Sequence, residues 1–146
     1  AGAAPPVRGL RPVAAVAPGV AAATGLSLQQ LAAALVGQLR PAAVVCVDSL
    51  CSAEGQRLGR TVQFSDAGLY PAQADHTRHL TRDTLGVPVV AAGIPTLMQA
   101  QEGADLVVTP RALDSVIAHG AALLAGSVNR ALQPRLTVQQ LCWLTG

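Results

Sequence analysis

Aromatic side chains are almost missing from this chain, which has one Phe, one Tyr and one Trp in 146 residues. Proteins that grip single-stranded nucleic acid stack bases on such rings, and the arginines here are scattered along the sequence, so no nucleic-acid platform is legible. Lysine is absent and alanine very abundant, a bias of coding composition rather than of chemistry. Charged residues are few, at 12%, and a net charge of +2 selects no class of partner. Long apolar runs are lacking too. Pro, Gly, Gln or a charge interrupts each one before the roughly 18–20 residues that a membrane span needs, so a mean hydropathy of +0.41 does not signal a membrane protein. The three cysteines are odd in number and lack metal-ligand spacing, which fits a reducing compartment; Cys46 reads as a small buried apolar residue and Cys51 as a loop thiol. The opening Ala1-Gly2-Ala3-Ala4-Pro5-Pro6 has neither the basic nor the apolar region of a signal peptide, and reads as the cut edge of something longer.

What is present is enough apolar side chain, 51%, for a real core, and no repeat or low-complexity linker divides the chain. A single α/β domain over 1–146 is therefore expected. Its organising stretch is Ala42-Ala43-Val44-Val45-Cys46-Val47-Asp48-Ser49-Leu50, a β-branched run without alternation that ends in a carboxylate. Such a run predicts a strand covered on both faces, as in parallel sheets, whose carboxyl ends gather ligands and catalytic groups. Asp48 is then a candidate functional acid; the competing reading has it cap the next turn through the Ser49 and Leu50 N–H groups.

Elsewhere, Arg11 to Ala17 reads as a short strand stopped by Pro18-Gly19. Ser27 reads as an N-cap for an amphipathic helix over Leu28 to Leu39, ended by Pro41. Thr61 to Asp66 is a second strand closing on an aspartate, and parallel strands ending side by side would bring Asp48 and Asp66 to one edge. Ala67 to Asp75 reads as an irregular loop carrying Tyr70. His76 and His79 share one side of a helical turn running on through Thr81 to Leu85; a histidine pair without a third ligand is more often a solvated face, and no metal or other cofactor is expected. Val87 to Gly93 is a buried strand, followed by a tight strand-to-helix turn at Gly93-Ile94-Pro95-Thr96. Asp105 to Thr109 is a brief strand, Pro110 to Leu132 a long helix, and Val138 to Leu144 a last helix whose Trp143 packs on the body or a neighbouring subunit. A hydrolase using Ser49 or Cys51 with His76 lacks any nucleophile elbow.

Taken in order, a series of short motifs resembles the germination protease family of spore-forming bacteria. The motifs are Arg11-Pro12-Val13, Ala17-Pro18-Gly19-Val20, Thr24-Gly25, Val47-Asp48-Ser49-Leu50, Thr61 to Gly68, Thr84-Leu85-Gly86-Val87-Pro88-Val89, Gly93-Ile94-Pro95-Thr96, Leu106 to Pro110 and Asn129 to Pro134. The resemblance implies an atypical aspartic endopeptidase that degrades small acid-soluble spore proteins during germination. It further implies a zymogen, a homo-oligomer working in the spore cytoplasm, and no nucleic-acid or membrane partner. The implied fold is three-layer α/β, a mainly parallel sheet with helices on both faces, similar to that of the hydrogenase maturation proteases. Asp48 occupies the family's Ile-Asp-Ala-Leu position and is the implied catalytic residue, with Ser49, Asp66, Gly93 and Thr96 supporting. The family's second aspartate lies upstream of Ala1. Here Leu69-Tyr70-Pro71-Ala72 also replaces the family's Ile-His-Pro-Gly, so its histidine is either lost or moved to His76 or His79. A non-catalytic structural or binding relative is the alternative reading.

Overall fold

The computed structural model describes residues 9–19, 25–70, 79–99 and 107–145. The chain divides into two compact units, Ala17–Gly120, which holds the sheet, and a second made of Ala1–Val16 with Ala121–Gly146.

Local chemistry sets the helix ends. Helix α1 runs Leu28–Leu39, as its apolar spacing predicts. Ser27 Oγ accepts from the Gln30 N–H at 3.2 Å while Gln30 Oε1 accepts from the Ser27 N–H at 2.9 Å, so two of the orphan donors at the helix start are satisfied reciprocally. Arg40 turns left-handed at φ 48° and donates its N–H to Val36, and Pro41 follows. Helix α2, Arg82–Leu85, is one turn capped by Thr81; His79 precedes it outside the helix, and His76, its expected neighbour on a helical turn, lies outside the described residues. Helix α3 spans Leu113–Leu132, starting after a turn at 111–112 rather than at Pro110, and ends before Pro134. Helix α4, Val138–Thr145, starts on a reciprocal Thr137–Gln140 cap; its Trp143 is 52% exposed.

The sheet of the first unit contains β1 (Val44–Ser52), β2 (Gln63–Ser65), β3 (Val89–Gln99) and β4 (Val107–Val108). Its order is β1-β3-β2, with β4 also on β3. Among the described residues only β1 and β3 are parallel; β2 and β4 run antiparallel to β3, so the sheet is mixed where a mainly parallel one is expected. For β4 the reason is chain length: a parallel neighbour needs a crossover of about a dozen residues or more, and only 100–106 separate it from β3.

Strand β3 runs through Gly93-Ile94-Pro95-Thr96, where the sequence predicts a turn. Pro95 is almost fully buried and has no N–H for the ladder; the pairing steps from Leu50–Pro95 to Cys51–Leu97, leaving Thr96 of β3 as an extra residue without a partner on β1, and the Pro95 carbonyl accepts from the Gly59 N–H at 2.7 Å.

The core lies on one side of β1 and β3. Cys46, Leu69, Leu80, Leu85, Val89 and Ala91 form it, with Leu28, Ala32 and Val36 of α1 packed against it. On the other side Gly120, in the first turns of α3, sits so close to Ile94 that a Cβ would collide with Ile94 Cδ1. That cover reaches β3 but leaves Val45 and Val47 of β1 exposed, so β1 is covered on one face and not on both.

In the second unit, 9–16 forms no strand: the Gln133 side chain accepts from the Arg11 N–H at 2.8 Å and donates to the Arg11 carbonyl at 2.9 Å, taking the place of a neighbouring strand. Among the described residues no helix is long and apolar enough to cross a membrane.

Candidate functional site

Asp48 sits in the middle of β1 rather than at its carboxyl end, because pairing with β3 carries the strand on to Ser52. It is exposed, and its Oδ1 accepts the Ser49 N–H at 2.7 Å. That bond holds the carboxylate by the residue next to it, the local half of the capping arrangement, but within a strand. Directly across the ladder is Gly93. A Cβ at Gly93 would collide with the Asp48 carbonyl oxygen and stand 2.7 Å from Leu50 Cγ, so only glycine lets β3 come this close beside the acid. Ile94 pairs with Ser49, and Thr96 is buried on β3 at 6% exposure. Cys46 lies two residues before Asp48 on the same face. Burial pushes its thiol pKa up, and the Asp48 carboxylate adds to the shift.

Asp66 is not brought to this place. Gln63 pairs with Gly93 and Ser65 with Ala91, so β2 runs away from the level of Asp48, and β3 lies between the two strands. Strand spacing and rise put the two Cα atoms roughly 14 Å apart, far beyond the ~4–6 Å over which carboxylates couple strongly. The expected shared edge fails because β2 is antiparallel.

A second cluster forms where the sequence suggests only a loop. Leu69 and Leu80 exchange backbone hydrogen bonds at 2.9 and 3.0 Å, and Gly68, at φ 103°, allows it: a Cβ there would collide with the Leu80 carbonyl oxygen. The bridge sets Tyr70 against His79, ring centroids 4.8 Å apart and tilted by 59°. An imidazole is thus delivered beside Tyr70 from nine positions further along the chain. The only hint in the sequence is Gly68, because the pairing joins residues eleven positions apart. Cys51 is an exposed residue of β1, where the sequence predicts a loop thiol. Among the described residues no three His, Cys, Asp or Glu side chains are grouped to hold a metal ion.

A family model described as Germination protease matches residues 6–102, a span that contains Asp48, Asp66, Gly93 and Thr96. The chain is 28% identical to the germination protease of Clostridium perfringens over 90% of its own length and 55% of that protein. It is 37% identical to that of Halalkalibacterium halodurans over 76% of this chain and 29% of the relative, and 38% identical to that of Bacillus subtilis over 63% and 26%. The chain spans about half the length of the Clostridium perfringens relatives that it matches.

Proposed function

The chain belongs to the germination protease family, and from that premise we propose that it is the C-terminal part of an endopeptidase degrading small acid-soluble spore proteins at germination. The observation that carries the reading is Asp48, an exposed carboxylate at mid-strand within the family match, tied to Ser49 and backed by Gly93. Among the described residues β1 pairs only with β3, so its other edge is open to an extended peptide, which would pass Asp48 as an added strand.

Peptide hydrolysis by an aspartate pair needs one carboxylate ionised to activate water and one protonated to donate to the substrate carbonyl or the leaving amine. Asp48 supplies one, with Ser49, Gly93 and Thr96 supporting it; Asp66 is too far away to supply the other. The second carboxylate belongs to the segment that the family carries upstream of Ala1. On this reading the protein is made as a zymogen, needs no cofactor and assembles as a homo-oligomer in the spore cytoplasm, and exposed Val47, Phe64 and Trp143 are the sort of side chains that association covers. The parallel β1–β3 pair with α2 between its strands is compatible with the hydrogenase maturation protease arrangement.

A second reading, a binding relative without catalysis, draws on Tyr70 standing in the place of the family histidine. One experiment separates the two. An acid-soluble spore extract is incubated with the chain, with the chain lengthened upstream by the corresponding part of the Bacillus subtilis relative, and with the lengthened Asp48→Asn variant, with circular dichroism as the folding control. We expect cleavage by the lengthened chain alone, and a loss of about 10²–10⁴-fold in the variant. Cleavage by the chain as it stands shows that no upstream aspartate is needed, and full activity in the variant removes Asp48 from the site. A folded but inactive lengthened chain favours the binding reading.

A further inference from the structure

The unit made of Ala1–Val16 and Ala121–Gly146 contains Arg8, Arg11, Arg130 and Arg135 and no Asp or Glu; all eight acidic residues of the chain fall within Ala17–Gly120. Four of the ten arginines thus fall in a unit whose own sequence holds no acidic side chain. Within this unit, residues 9–11 and 133–136 line a cavity of about 210 Å³.

The frame of the cavity is held by hydrogen bonds. Gln133 grips the Arg11 backbone on both its N–H and its carbonyl. Arg130 Nη1 donates to the carbonyls of Pro134 at 3.0 Å and Leu136 at 2.7 Å, fixing the turn that carries Arg135. Gly9, at φ 77°, lies beside that arginine: a Cβ there would be 3.8 Å from Arg135 Nη1. Arg130 is occupied by this framework. The guanidinium groups of Arg11 and Arg135 are not: both residues are exposed, and among the described residues neither has an ion-pair partner.

We propose that this cavity binds a small oxyanion, a phosphate or carboxylate group, between Arg11 and Arg135. The planar guanidinium fork matches such groups with two parallel hydrogen bonds. Within the unit no Asp or Glu side chain competes for these guanidinium groups. The volume is below the ~300–1,000 Å³ of pockets that take drug-sized ligands, which suits an anionic group rather than a cofactor. The site does not depend on the peptidase reading, since it contains none of the residues around Asp48.

The test is calorimetric titration of the full chain with inorganic phosphate and, separately, with succinate, at ionic strength held constant with chloride. Saturable binding of at least one anion at one site per chain is expected. The double variant Arg11→Gln/Arg135→Gln should weaken it roughly tenfold or more, the loss that follows from removing charge-assisted hydrogen bonds. Arg111→Gln, which removes the same charge from the other unit, should leave it unchanged. Binding of phosphate alone assigns the site to phosphate-bearing ligands, and of succinate alone to carboxylates. Absence of saturable binding by both, or equal weakening in Arg111→Gln, overturns the proposal. Should circular dichroism find the double variant unfolded, the single variants Arg11→Gln and Arg135→Gln are titrated instead, and unaltered affinity in both overturns it equally.

Discussion

Val44 and Cys46 of β1 turn toward the layer formed by α1 and the core leucines, while Val45 and Val47, from the same strand, stand 40% and 56% exposed on the opposite face. The two sets are chemically almost alike. Their environments differ because α1 and α2 arrive on one side, whereas on the other the first turns of α3 reach Ile94 of β3 and stop short of β1. A run of valines therefore states that a strand forms without stating how many of its faces will be covered. Asp48 has the same parity as Cys46 yet remains exposed, two residues along from the buried thiol. The strand passes from core to accessible surface within that distance.

The contrast breaks most severely at Gly93. Replacing it with Ala forces a methyl into the Asp48 carbonyl and Leu50, and overpacking against backbone should cost about 3 kcal/mol. Urea denaturation of Gly93→Ala measures it, and an unchanged midpoint would mean that the two strands are not so closely apposed.

Two matched truncations sharpen the comparison. Val89→Ala empties a site that is 2% exposed on the covered side and should cost about 2 kcal/mol, from lost transfer energy plus a residual cavity. Val47→Ala, on the open side, should stay within about 0.5 kcal/mol. Equal effects would indicate that something covers Val47 in solution, and concentration-dependent light scattering would then identify self-association as the cause.

The smallest effect is a pH dependence. Burial, with a contribution from Asp48, raises the Cys46 thiol pKa in the folded chain, so the folded state holds the proton more tightly than the unfolded one does. Below the ordinary thiol pKa of about 8.5 both states are protonated and the full stability is present; as pH rises above it toward the folded value, the unfolded chain ionises first and stability falls. Cys46→Ala should flatten that decline in denaturation series run between about pH 7 and pH 10. Parallel slopes for the two proteins would exclude Cys46 as its source. Under the same native conditions exposed Cys51 and Cys142 should react with a thiol reagent well before Cys46.

The sequence by itself determined the features whose causes are local. The Ser27–Gln30 and Thr137–Gln140 caps, the apolar spacing of α1 and the stops at Pro41 and Pro134 each involve residues within a turn of one another, so α1 and α4 are legible from the chain. The family is legible for a related reason, because short motifs kept in order need no geometry to be matched. Tertiary structure alone decided the rest. The direction of β2, and with it the separation of Asp66 from Asp48, depends on which edge of β3 receives that strand and in which sense. The passage of β3 through Pro95 is accompanied by an extra residue, Thr96, in its pairing with β1, a strand more than forty residues earlier in the sequence. The close fit of Gly93 against Asp48, the meeting of Tyr70 with His79, and the cavity between Arg11 and Arg135 each join residues from separate segments. A side chain's type says what it can bond to; only packing the segments together selects which partner it meets.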